Sequence, residues 1–106
     1  MRKLLVTLAA VSVLAGLGAA HAFAGTKSVT LHDNYFSTSS VTIRKGSKVT
    51  WRWSHTDNKH NVSSKGHFHS RSSTSGSFSA TFNKRGTYTV ICTLHPAQMT
   101  MKVRVK

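Results

Sequence analysis

Cys92, His95 and Met99 lie within the eight-residue run Cys92-Thr93-Leu94-His95-Pro96-Ala97-Gln98-Met99, and His60 opens an upstream segment His60-Asn61-Val62. A thiolate, two imidazoles and a thioether make a soft donor set. Thiolate and thioether favour Cu(I) and imidazole serves both oxidation states. Two His and one Cys in a trigonal set with a weak axial Met form the ligand field of a blue-copper electron-transfer site. A second thioether, Met101, follows two residues later, and strand parity puts it on the same face as Met99, so parity leaves the choice of axial ligand open. Cys92 is the single cysteine of the 106 residues, which rules out an intramolecular disulfide. A lone thiol in an oxidising compartment needs an occupant: a metal, a partner's cysteine, or a packed core that hides it.

The elements that must position these donors read as short strands. Ser28–Leu31, Val41–Ile43, Lys48–Trp53, Ser77–Phe82, Thr87–Cys92 and Thr100–Val105 are rich in β-branched and aromatic residues with period-two alternation, and none carries a helical stripe. Turn signals fall at Asp33-Asn34, Lys45-Gly46 and Lys84-Arg85-Gly86, while the Ser-rich stretch from Ser70 to Ser77 reads as a mobile loop. Several short antiparallel strands in about 80 residues imply an all-β, two-sheet sandwich of Greek-key type. Val49, Trp51 and Trp53 share parity, as do Phe78, Ala80 and Phe82, so each set can face inward. The core is small, and scaffolds of this size usually add a staple such as a metal.

Residues 1–24 read as a secretory signal peptide: a basic Met1-Arg2-Lys3, an apolar run Leu4 to Ala20, and a small-x-small site at Ala20-His21-Ala22 or Ala22-Phe23-Ala24. Cleavage after Ala24 leaves one domain over residues 25–106. Of the 15 basic residues, Arg2 and Lys3 go with the leader; the other 13 face only Asp33 and Asp57, a formal charge of +11 over 82 residues. Such a domain seeks anionic partners. An exported protein rarely meets nucleic acid, and the cations are scattered along the chain, so the charge points to an acidic protein partner or an anionic envelope surface.

From about Ser28 to Val105 the chain resembles a small cupredoxin of the plastocyanin, amicyanin and pseudoazurin type. The landmarks are Phe36, Val41-Thr42-Ile43 leading to Gly46, Val49-Thr50-Trp51, His60-Asn61-Val62, Gly86-Thr87-Tyr88, Cys92-Thr93-Leu94-His95-Pro96, Met99 and the closing Val103-Arg104-Val105. The resemblance implies one copper cycling between Cu(I) and Cu(II), with His60, Cys92 and His95 as equatorial ligands and Met99 as the axial one. Met99 is chosen over Met101 because in the family the ligand Met precedes the first Val of the final strand by four residues. Three residues separate His95 from Met99, between the two of amicyanin and the four of plastocyanin; that loop length bears on potential and spectral type more than on copper binding. The resemblance also implies a hydrogen bond between Asn61 and Thr93 across the two ligand loops. It implies a non-enzymatic electron carrier of the periplasm or extracellular space, a monomer, meeting an acidic redox partner through the edge of His95 in the apolar patch of Leu94, Pro96 and Ala97. The alternative is a copper-delivery protein, for which His67, His69 and Met101 speak. His67 and His69 could hold an extra metal, but plain surface is the simpler reading, as it is for His32 and His55. Trp51 and Trp53 are expected in the core and rim, and Tyr88 in the core beneath the site.

Overall fold

The computed structural model describes residues 24–106, all strand, turn and loop, with no helix among them. Nine strands form: β1 (Thr26–His32), β2 (Tyr35–Phe36), β3 (Ser40–Ile43), β4 (Ser47–Trp53), β5 (Ser63–Ser64), β6 (Phe68–His69), β7 (Gly76–Phe82), β8 (Gly86–Ile91) and β9 (Thr100–Val105). They make two facing sheets, a four-stranded one in the order β2-β1-β4-β7 and a five-stranded one in the order β3-β9-β8-β5-β6. The expected sandwich is present, and all six expected strands appear within two residues of their anticipated ends. The sheets are mixed, however: β1 runs parallel to β4 and β3 parallel to β9. An all-antiparallel reading fails because each of these pairs is joined by a crossover that no local turn signal reveals.

Alternation does what the sequence pattern requires. Val29 and Leu31 of β1 and Val49, Trp51 and Trp53 of β4 point inward from one sheet. Val90 of β8 and Met101, Val103 and Val105 of β9 meet them from the other. Trp51 is the anchor: fully buried, it has the rings of Phe68, Phe78 and Phe82 within 5.6, 6.2 and 6.5 Å. Burying roughly 200 Å² of indole contributes on the order of 5 kcal/mol, several times the net worth of a single hydrogen bond.

Strand directions give the sandwich two unlike poles. β4 and β8 run toward the pole that carries the 54–62 loop and the 92–99 loop, where the four candidate ligands lie. At the opposite pole sit the β3–β4 turn and the β7–β8 turn, joined by Gly46 N–H donating to Phe82 O at 2.7 Å, while Lys45 N–H donating to Lys106 O at 3.0 Å ties the first turn to the end of β9. Gly46 makes that turn with φ of 90°, which an L side chain rarely adopts.

Two expectations are revised. Ser70–Ser77 is tied down: Ser70 is buried, its N–H donates to Val62 O, its hydroxyl accepts the Val62 N–H at 2.8 Å, and β7 already begins at Gly76. Tyr88 packs against the core from the open sandwich edge, edge-on to Phe82 and His67, with its hydroxyl donating to Lys84 O. It does not lie beneath Cys92, since four strand residues separate the two by roughly 13 Å. The signal-peptide reading falls on residues outside the described ones, except for Ala24.

Candidate metal centre

His60 is held from four directions. Its N–H and C=O pair with Ser73 at 3.0 Å each, a one-rung bridge that fastens the 54–62 loop to the Ser-rich segment. Trp53 Nε1–H donates to the same carbonyl at 2.9 Å. The imidazole is fully buried, and its Nε2 lies 2.9 Å from Asp33 Oδ1. A carboxylate only accepts, so Nε2 carries the proton and Nδ1 is left with a free lone pair. Nδ1 faces Cys92 Sγ at 3.9 Å.

Cys92 follows β8 directly and is fully buried. Its sulfur accepts the Asn61 backbone N–H at 3.4 Å, which ties the Cys92 side chain to the 54–62 loop. The 92–99 loop closes on itself. His95 N–H donates to Cys92 O, Met99 N–H to His95 O at 2.9 Å, and Cys92 N–H to Met99 O at 3.1 Å. Thr100 Oγ1–H caps Pro96 O at 2.7 Å. This ring of backbone bonds returns the buried Met99 to Cys92, which is why so short a stretch of chain suffices to unite two candidate ligands of different type.

The loops are latched together by Asn61. Its Nδ2–H donates to Thr93 Oγ1 at 2.8 Å and its Oδ1 accepts the Thr93 N–H at 2.9 Å, with Ser72 Oγ a further acceptor at 3.2 Å. The Asn61–Thr93 bond expected across the two ligand loops is thus present.

Asp33 is the residue of the candidate site that sequence reading missed. Besides His60 it accepts the backbone N–H groups of Asp57 at 2.8 Å and Asn58 at 3.1 Å. The Asp57 amide, then the His60 side chain, then the Asn58 amide lower its carboxyl from 3.8 to about 2. A carboxylate that orients a candidate ligand through its outer nitrogen is a common support of metal sites. The one signal was that Asp33 is one of only two acids in a strongly basic domain.

His95 completes the cluster less fully. Its ring centroid lies 4.9 Å from that of His60, the residue is half-buried, and its Nε2 is buried with no hydrogen-bond partner. Among the described residues, no three His, Cys, Asp or Glu side chains form a closed cage. The structure therefore brings His60 and Cys92 face to face, with His95 beside them and Met99 tied to the same loop. A metal about 2.3 Å from sulfur and about 2.0 Å from an imidazole nitrogen at a trigonal angle sets those donors about 3.7 Å apart. The 3.9 Å observed fits this spacing, and the orphaned His95 Nε2 is a buried polar atom that a metal would explain.

The remaining singled-out residues lie elsewhere. Met101 is buried in β9 with its sulfur accepting Trp51 Nε1–H at 3.4 Å. His67 packs on Tyr88, and His69 Nδ1 sits 3.1 Å from Ser63 Oγ; neither joins a third donor. His32 stacks on Tyr35 at 4.6 Å, and His55 is exposed with φ of 59°.

A family model described as copper binding proteins of the plastocyanin/azurin family matches residues 24–106. No curated protein sequence matches the chain. Among solved structures, a purple cupredoxin from Nitrosopumilus maritimus is similar with a TM-score of 0.68 and 22% identity, over 76% of this chain and 99% of that one. An oxidised methionine-to-leucine mutant of amicyanin superposes with a TM-score of 0.64 and 26% identity, over 76% of this chain and 81% of that one. A Sinorhizobium pseudoazurin gives 0.64 and 18%, over 77% and 74%.

Proposed function

The chain belongs to the plastocyanin/azurin family of copper-binding proteins, with a single copper as cofactor, and from that membership we propose that it is an exported one-electron carrier that catalyses no reaction of its own. His60, Cys92 and His95 hold the metal in this reading and Met99 supplies the weak fourth donor. When bound, copper supplies a centre that takes up and releases one electron. The chain's own contribution is rigidity. Asp33 fixes the His60 tautomer, the Asn61–Thr93 latch fixes the separation of the two loops, and the closed 92–99 turn fixes Met99 against Cys92. Donors that cannot relax in either oxidation state keep the reorganisation between them small.

The observation that carries the proposal is the buried Cys92 sulfur facing a His60 nitrogen whose opposite nitrogen is already committed to Asp33. Transfer runs through the half-buried His95 to a partner seated on Leu94, Pro96 and Ala97, all exposed, Leu94 by 50%. The partner is an acidic redox protein, drawn in by the net charge at low ionic strength, and the carrier works as a monomer in the periplasm or outside the cell. A copper-delivery role draws no support from the geometry, because Met101 is engaged by Trp51, His67 packs on Tyr88, and His69 contacts Ser63.

A Cu(II)–thiolate bond absorbs intensely in the visible, so oxidised protein purified from a copper-supplemented periplasm is expected to be blue to green. Cys92→Ser abolishes the colour and leaves a weaker Cu(II) site. A colourless copper-loaded wild type overturns the electron-carrier reading.

A further inference from the structure

The net positive charge is not spread evenly over the sandwich. Both acids, Asp33 and Asp57, lie at the metal pole, where Asp33 accepts the Asp57 N–H. The far pole gathers Arg44 and Lys45 from the β3–β4 turn, Lys84 and Arg85 from the β7–β8 turn, and Arg104 and Lys106 from the end of β9, all exposed. Backbone pairing holds these segments side by side. Lys45 N–H donates to Lys106 O, Gly46 N–H to Phe82 O, Gly86 pairs with Val105 and Thr87 with Arg104. Among the described residues no Lys or Arg lies within ion-pair distance of a carboxylate, and Asp33 is taken up by its hydrogen bond to His60, so none of these six cations is neutralised by a neighbouring acidic side chain. Six like charges on adjoining turns raise a local positive potential that water and salt screen within about 10 Å, which favours an anionic surface in close contact.

We propose that this cationic pole docks the protein onto anionic phospholipid, leaving the metal pole directed away from the bilayer. One further feature favours a lipid surface over an anionic glycan. A notch of about 430 Å³ opens between β6, β7 and β8, with Phe68, Phe78, Phe82 and Tyr88 in its lining beside Lys84. A cation beside aromatic side chains matches an amphiphile, whose charged head group sits next to hydrocarbon; a polysaccharide offers no such pairing. The proposal stands on fold and charge alone and is independent of which residues hold copper.

The test is co-sedimentation of the copper-loaded exported protein with phosphatidylcholine vesicles, with and without phosphatidylglycerol, across a salt series. Binding to the phosphatidylglycerol vesicles alone, weakening with salt, is expected. The pair Lys84→Glu with Arg85→Glu, and separately Arg44→Glu with Lys45→Glu, lowers the partition coefficient by about tenfold or more, given a contribution of roughly fivefold per cation near an anionic surface. A charge-matched pair at the other end, Arg52→Glu with Lys59→Glu, retains binding. No preference for phosphatidylglycerol, or an equal loss in all three pairs, overturns the proposal. Retention on an alginate matrix without vesicle binding overturns it in favour of a glycan. Copper colour is read on every sample: a colourless protein that still sediments supports the docking pole while overturning the electron-carrier reading.

Discussion

Asn61 joins three segments with one side chain, bonding Thr93 twice and Ser72 once from a position that is almost wholly buried. Removing the amide breaks both bonds to Thr93 and the one to Ser72 and leaves a gap at a nearly buried position, so Asn61→Ala is expected to cost about 1 to 3 kcal/mol. Calorimetric melting of the copper-loaded variant, together with its reduction potential, checks this; both unchanged would remove the latch from the mechanism. Asp33 acts at the same scale through its charge. Its folded carboxyl lies at about 2 against 3.8 as the ordinary value, so the stability it confers is fully present above about pH 4 and is lost as pH falls toward 2. The difference in thermal midpoint between wild type and Asp33→Asn should accordingly be constant above pH 5 and close between about pH 4 and 2. A difference that persists unaltered at pH 2 would show that the ionised carboxylate is not the stabilising form. Asn61 was legible because it sits next to the candidate ligand His60 in the segment His60-Asn61-Val62. Asp33 was not, since its contact with His60 spans 27 residues and depends on where the β1–β2 turn lies against the 54–62 loop.

At the scale of elements, the junction of the 92–99 loop with β9 decides between the two thioethers. Met101 pairs with Val90 inside the sheet and accepts the Trp51 N–H, whereas Met99 lies before the first ladder pair and shares backbone bonds with Cys92 and His95. Met99→Leu should therefore shift the reduction potential upward and alter the visible spectrum. Met101→Leu should leave the spectrum nearly intact while costing about 1 to 3 kcal/mol, because the buried indole N–H loses its acceptor. If the spectral change follows Met101 instead, the axial assignment moves with it. The long strands could be read from alternation, as in Val49-Thr50-Trp51-Arg52-Trp53, because one face is buried and the other wet. The two-residue strands β2, β5 and β6 could not. Each owes its pairing to a neighbour already in place, as Ser63 does to Ile91, and two residues are too few to show a period. The Ser-rich stretch misleads for a related reason: its hydroxyls bond to the 60–62 segment, a tertiary fact that composition conceals.

For the whole molecule, total charge and its placement are different quantities, and only the first can be summed from the sequence. A charge of +11 drew attention to an acidic partner at His95, yet the fold puts both acids at the pole of the candidate ligands and six cations at the far end. Charge of that arrangement orients the molecule as well as attracting partners, so encounter rate and docking orientation need not respond to salt in the same way. The position of β9 has a consequence of another kind, in the timing of assembly. It follows every other element in the chain, yet it lies between β3 and β8 in the interior of its sheet, with Met101, Val103 and Val105 all buried. The five-stranded sheet cannot close, and Met99 cannot be brought back to Cys92, until those residues have been delivered. If the chain is exported unfolded, as proposed, metal uptake would be a terminal event, and Cys92 would stand as an open thiol until β9 docks. The interval before β9 docks would then be when the lone cysteine is most open to oxidation, since in the folded protein Cys92 is fully buried.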